Sequence, residues 1–193
     1  FLLRRVDRVV ALDDAMAERL LQSGARPVEV IPNWADGIAI KSDQKAGQAF
    51  RQVEGLDGRF VVLYSGNLGL AHKFDAVMEA ARQCAEKQAR VLFLFVGSGL
   101  RLHSVQEAAV GLSNVRFMAY QPRERLNELY NAADIHLVTL QDEAAGLLFP
   151  SNSPPAHAAG KPVLLVGGND APFAKEIQIE KLGWVCPHTS TTV

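Results

Sequence analysis

The chain has 193 residues, 48% hydrophobic and 21% charged, which is the balance of an ordinary soluble globular fold. Lys and Arg number 20 against 21 Asp and Glu, and no basic run breaks that balance, so nucleic acid is excluded as a partner. The longest apolar runs have strand length, far short of the ~20 residues of a membrane helix, and Arg4-Arg5 follow too soon after the first residue for a signal peptide.

Val6 to Leu12 reads as a first strand, followed by a helix from Ala15 to Leu21 that Asp13 or Asp14 can cap and Gly24 ends. Val28 to Pro32 is a second short strand. Residues 34–58 are polar and weakly periodic apart from a helix around Gln44 to Val53, and are expected to form a hinge between domains. From Arg59 onward the pattern is regular. Strands are expected at Phe60–Tyr64, Val91–Val96, Val115–Met118, Ile135–Leu140, Val163–Val166 and Trp184–Cys186. Helices are expected at Phe74–Ala89, Leu100–Val110, Arg123–Asn131, Pro154–Ala159 and Phe173–Lys181. The strands are continuous apolar runs, as in Val91-Leu-Phe-Leu-Phe-Val96, which is how strands covered on both faces look. Strands alternating with helices predict an α/β fold, a Rossmann-like doubly wound parallel sheet.

In such a sheet a ligand lies beyond the carboxyl ends of the strands. The strand at Phe60 runs into Ser65-Gly66-Asn67-Leu68-Gly69 and then into helical spacing from Phe74. A strand, a glycine turn and a helix start can present bare N–H groups to an anion, most often a phosphate; a plain tight turn is the alternative. Gly97-Ser98-Gly99 has only the start of a dinucleotide fingerprint, because the third glycine would fall at Leu102, and it reads as a tight turn. Ala119-Tyr120-Gln121-Pro122 offers an aromatic ring and free backbone groups to a flat ligand. The loop from Gln141 ends in Ser151-Asn152-Ser153, where Ser153 can cap a helix whose first position is Pro154. Two anion-friendly helix starts in one sheet favour a diphosphate.

The five histidines show no metal-ligand spacing, and His136, inside an apolar strand, reads as a satisfied core residue. No Asp-x-Asp triplet sits at a strand end. Cys84 and Cys186 read as core thiols of a reducing compartment. The first residue is not methionine, and the chain reads as part of a longer protein.

Several of these segments together resemble the C-terminal part of retaining glycosyltransferases with two facing Rossmann-like domains, the GT-B fold of the GT4-like type. The resemblance is to the branch that builds bacterial exopolysaccharide and O-antigen. It rests on residues 6–20, on Val28 to Asp36, on Tyr64-Ser-Gly-Asn-Leu-Gly69 and on Phe95-Val-Gly-Ser-Gly99. Leu129-Tyr-Asn-Ala-Ala-Asp134, Gly146 to Ser151 and Ala158-Ala-Gly-Lys-Pro-Val163 complete it. It implies that residues 1–33 are the tail of an acceptor-side domain, 34–58 a hinge, and 59–193 the domain that binds a nucleotide-sugar donor. Gly66, Asn67 and Gly69 would approach the donor diphosphate, with Lys73 as the basic residue after the turn. Ser151, Asn152 and Ser153 would bind the phosphates from the other side, and Met118, Ala119 and Tyr120 would meet the base.

The resemblance further implies a metal-independent transferase without a cofactor, inactive as this stretch alone. Its acceptor, a glycan or a lipid-linked sugar, would be held by the missing domain, and the whole protein would be cytoplasmic, able to lie peripherally on the inner membrane. Three positions depart from the branch. Leu70 stands where an arginine is usual, Asn152 where a lysine is usual, and Pro154 and Pro155 where many members carry a ribose-binding glutamate. These departures would also suit a non-catalytic nucleotide-sugar-binding module. An NAD-dependent oxidoreductase domain is a further alternative, but it lacks the full glycine fingerprint.

Overall fold

The apolar run Phe60–Ser65 sends alternate side chains to opposite sides of a sheet, and both sides are covered. In the computed structural model, which describes residues 2–144 and 146–188, this run is the third strand of the chain. β1 (Val9–Ala11) and β2 (Val28–Val30) form a separate parallel pair joined by α1 (Asp14–Gln22). The main sheet has six parallel strands. They are β3 (Phe60–Ser65), β4 (Val91–Val96), β5 (Val115–Met118), β6 (Ile135–Thr139), β7 (Val163–Val166) and β8 (Gly183–Cys186). Their spatial order is β5-β4-β3-β6-β7-β8. The intervening helices are α2 (Gln44–Glu54), α3 (Asp75–Glu86), α4 (Leu102–Ala108), α5 (Leu126–Ala132), α6 (Ser153–Ala158) and α7 (Pro172–Ile179). The expected doubly wound Rossmann-like architecture is therefore present.

The two faces divide by residue parity. Val62, Tyr64, Phe93 and Phe95 pack with Val77, Met78 and Val105 of α3 and α4. Val61, Leu63, Leu92 and Leu94 pack on the other side with Phe50 and Leu56, from α2 and the turn after it, and with Leu129 of α5. Val163, Leu165 and Val138 meet α6 and α7 through Ala156, Phe173 and Ile177. At roughly 25 cal/mol per Å² of apolar surface, two covered faces supply most of the driving force for this part of the chain.

α2 belongs to this packed body. Gly47 lets it lie directly on α5, since a Cβ there would overlap the carbonyl group of Asn131. The Asn131 amide accepts the Asp43 N–H at 2.7 Å and donates to the Lys41 carbonyl at 2.8 Å. Arg51 reaches Asp134 at 2.5 Å and the Ala132 carbonyl at 2.8 Å, while Asp134 also accepts the Val61 N–H at 2.7 Å. The Leu129-to-Asp134 segment thus fastens three elements.

Several boundaries differ from the expected ones. β1 is confined to Val9–Ala11 instead of Val6 to Leu12, because pairing with β2 provides ladder partners only there. α3 ends at Glu86 instead of Ala89, with Gln88 in the left-handed region that closes a helix. The helix expected from Arg123 opens as a 3₁₀ turn, Arg123–Arg125, before α5 begins.

Candidate functional site

Strands are added to one side of β3 as β4 and β5 and to the other side of β6 as β7 and β8. The loops leaving β3 and β6 therefore diverge and open a crevice at their carboxyl ends. A cavity of about 370 Å³ fills it. One bank carries Gly66, Asn67, Gly69, Leu70 and His72, and the other carries Leu148, Phe149, Pro150, Ser151 and Asn152. The structure thus brings together five residues singled out from sequence: Gly66, Asn67, Gly69, Ser151 and Asn152.

The first bank is locked to the loop after β4. Gly66 N–H donates to the Val96 carbonyl at 2.9 Å, Leu68 N–H to Ser98 at 2.8 Å, and Arg101 N–H to Leu68 at 2.9 Å. The Tyr64 hydroxyl, buried below, donates to the Asn67 carbonyl at 2.8 Å. Gly97 and Gly99, with φ of 147° and 149°, permit this contact. A Cβ on Gly97 would collide with the Gly66 carbonyl oxygen, and one on Gly99 would lie 2.5 Å from the Leu68 carbonyl oxygen. Their role is close backbone approach as well as turning, which no local pattern announces.

Two expectations about helix starts change. The glycine turn does not run straight into a helix: α3 begins at Asp75, and its N-cap, Phe74, makes no side-chain cap bond. The Gly66 and Leu68 N–H groups are committed to the neighbouring loop, while those of Asn67 and Gly69 have no partner among the described residues. At α6 the N-cap is Asn152, and Ser153 is the first helical residue. No side-chain cap bond forms, because Pro154 and Pro155 occupy the two positions whose N–H groups a cap would bind. Ser153, 1% exposed, instead donates its hydroxyl to the Pro150 carbonyl at 2.8 Å and sits outside the cavity lining.

The remaining expected residues lie around the cavity. Lys73 is half-buried, next to His72, and does not line it. Met118 ends β5, and its carbonyl accepts the Gly97 N–H at 3.0 Å. Tyr120 is 54% exposed, with a ring carbon 3.4 Å from where a Gly97 Cβ would lie. Met118, Ala119 and Tyr120 thus flank the glycine loop across Gly97 and are outside the cavity lining.

Sequence reasoning passed over His72. Its Nδ1 lies 2.7 Å from the Thr139 carbonyl and 3.1 Å from the Thr139 hydroxyl, at the end of β6. Burial holds the imidazole below its ordinary value; the Thr139 bond pulls the other way, and Arg101 adds a smaller push in the direction of burial. Only the crossing of two loops from distant strands places this ring at the crevice, so spacing carries no signal for it. Among the described residues no group of three or more His, Cys, Asp or Glu side chains could hold a metal ion.

A parallel sheet with its crevice at the switch between β3 and β6 defines the class: this is a doubly wound, Rossmann-like α/β domain. The family model for Glycosyl transferases group 1 matches residues 47–191, and the chain belongs to that family. It is 29% identical over 191 residues to WcaI of Escherichia coli (strain K12), named as a colanic acid biosynthesis glycosyl transferase, covering 95% of this chain and 44% of that protein. It is 26% identical to the Pseudomonas aeruginosa glycosyltransferase WbjE, covering 97% of this chain and 47% of that one. Among solved structures, Anabaena Alr3699/HepE in complex with UDP-glucose superposes with a TM-score of 0.79 at 23% identity, over 98% of this chain and 52% of that one. The chain spans about half the length of the relatives it matches.

Proposed function

We propose that this chain is the donor-binding half of a retaining glycosyltransferase. The whole protein would move a sugar from a nucleoside-diphosphate sugar to a glycan or lipid-linked acceptor in cell-surface polysaccharide synthesis. The observation that carries this is the cavity at the switch point, where a glycine loop faces Ser151 and Asn152. WcaI, named for colanic acid biosynthesis, and HepE, solved with UDP-glucose, support it. In this reading the Asn67 and Gly69 N–H groups, Ser151 and Asn152 hold the diphosphate, Lys73 reaches in beside them, and the Met118–Tyr120 turn meets the base. Residues 1–33 are the end of the acceptor-side domain and 34–58 the link, whose pliable part precedes Asp43 because α2 is fastened to α5. Residues 59–193 then form the donor-binding domain. The protein would act on the cytoplasmic side, peripherally at the inner membrane; no helix among the described residues is long and apolar enough to cross it.

Calorimetry of the 193-residue chain with UDP, GDP and NAD tests the reading: a nucleoside diphosphate should bind, and NAD binding alone would overturn it in favour of an oxidoreductase. Lys73→Ala should weaken the diphosphate by roughly 1.5–3 kcal/mol, the cost of losing a charge-assisted hydrogen bond. That is on the order of ten- to a hundred-fold, with the free nucleoside unaffected. Equal affinities would remove Lys73 from the site. The chain by itself should bind donor without transferring sugar, since a closing two-domain cleft aligns the substrates; acceptor-dependent transfer by this stretch alone would contradict that. In the full-length protein, backbone N–H groups and a cation meet the charge of the leaving diphosphate, so activity should persist in EDTA. Loss in EDTA restored by Mg²⁺ or Mn²⁺ would show a required metal.

A further inference from the structure

The lining of the switch-point cavity contains no lysine or arginine; its only side chain able to become a cation is His72. The ring is anchored on one edge. A carbonyl oxygen only accepts, so the 2.7 Å contact with Thr139 fixes the proton of the neutral ring on Nδ1. That leaves Nε2 as a bare acceptor, and it has no hydrogen-bond partner among the described residues. Cδ2, bonded to Nε2, lies 3.9 Å from where a Gly69 Cβ would stand, which puts this free edge against the glycine loop.

We propose that His72 is the titrating phosphate ligand of this cavity: on binding of a nucleoside-diphosphate sugar, Nε2 takes up one proton from solvent and donates it as a hydrogen bond to a phosphate oxygen. The inference rests on the donor-binding reading above. In the free protein two influences oppose the imidazolium: burial first, then Arg101 from the turn ahead of α4. The other titratable groups close to the ring are Tyr64 of β3, whose ring centre lies 5.9 Å away, and the neighbouring Lys73. An ionised diphosphate reverses the local sign and gives the ring a reason to charge. Proton uptake thus substitutes for the permanent cations that Leu70 and Asn152 do not provide. Affinity is accordingly linked to pH: it is highest where the bound ring is protonated and falls as pH rises.

The test is calorimetry of the 193-residue chain with UDP-glucose and GDP-mannose, whose phosphates do not titrate near neutrality. It is run in two buffers of different ionisation enthalpy, from about pH 6.5 to about pH 8.5. The expected result is net proton uptake of up to about one per site near pH 7.5 and a loss of affinity of about tenfold or more across that range. His72→Asn keeps a donor toward Thr139 but has no group in the Nε2 position; it should bind about tenfold more weakly at the acid end, with no pH slope. His72→Gln carries a permanent donor near Nε2 and should bind with the slope removed and affinity partly restored. Binding by wild type with no proton uptake and a flat pH profile overturns the role of His72 and leaves the donor reading standing. Failure of both sugar nucleotides to bind wild type overturns the donor reading and this inference with it.

Discussion

Gly97→Ala is expected to be among the most damaging single substitutions in the chain. The residue sits at φ 147°, where side chains other than hydrogen are strained, and its Cβ would run into the Gly66 carbonyl oxygen. Backbone strain and overpacking each cost about 1–3 kcal/mol, and here neither can relax without breaking the other loop's hydrogen bonds. A combined loss of about 3 kcal/mol or more would lower the melting temperature by roughly 10 °C in a chain of this size. The glycine loop would also be displaced, so nucleoside diphosphate binding should weaken beyond what lost stability explains. Gly37→Ala is the control: a Cβ there meets nothing within 4 Å. Thermal melts of the two variants that coincide would remove the interlock as a source of stability.

The second large effect is an acid sensitivity centred on His136. This residue is 2% exposed, stacks on Tyr130 at 4.9 Å and 18°, and donates from Nε2 to the Tyr130 carbonyl at 3.0 Å. Burial is the main cause that brings its imidazole down to about 4 from an ordinary 6.5. Below pH 6.5 the unfolded chain binds a proton that the native state refuses. Stability from this residue is thus fully present above 6.5 and lost as pH falls toward 4. The difference amounts to about 3 kcal/mol, and charging the ring would leave an uncompensated cation in the core. Urea unfolding of wild type and His136→Leu at about pH 7 and pH 4.5 isolates it, because His72 and His157, shifted the same way, remain in both. The variant should start lower, since the Tyr130 carbonyl loses its donor, and then lose less on acidification. Parallel losses would refute the assignment.

These two residues also mark what was legible in the sequence and what was not. His136 was readable as a core residue because an apolar run on either side leaves little else for it to be. The strands from Phe60 onward were readable for the same reason, since apolar runs such as Val91–Val96 and Phe60–Ser65 need cover on both faces. The parallel, doubly wound character of the sheet followed from alternation with helices, whereas the order β5-β4-β3-β6-β7-β8 rests on pairings between distant segments that no local pattern announces. The cavity-lining part of the glycine loop and Ser151–Asn152 could be singled out because a ligand in such a sheet lies beyond the carboxyl ends of its strands. His72 and the pairing of Gly97 with Gly66 were not legible, because each depends on a contact between loops from different strands. Ser153 is not a cap for a local reason: its hydroxyl matches the pattern, but the helix begins one residue earlier, with Asn152 as its N-cap, and the Ser153 hydroxyl is given to the Pro150 carbonyl.

On the proposed donor-binding reading, the interlocked loops also bear on how preference for a sugar nucleotide could change. The bank from Gly66 to Gly69 is held by main-chain hydrogen bonds and by Gly97 and Gly99 of the facing loop, where a Cβ would meet its backbone, so an insertion or enlargement there disturbs β3 and β4 together. The opposite bank, Leu147 to Asn152, lies in the loop between β6 and α6, with exposed leucines and, among the described residues, no comparable lattice of main-chain bonds to a neighbouring loop. Variation that retunes the proposed selectivity can therefore accumulate on that bank while the other stays constant, and a library built to alter donor preference should randomise Leu147 to Asn152 and leave Gly97 and Gly99 alone.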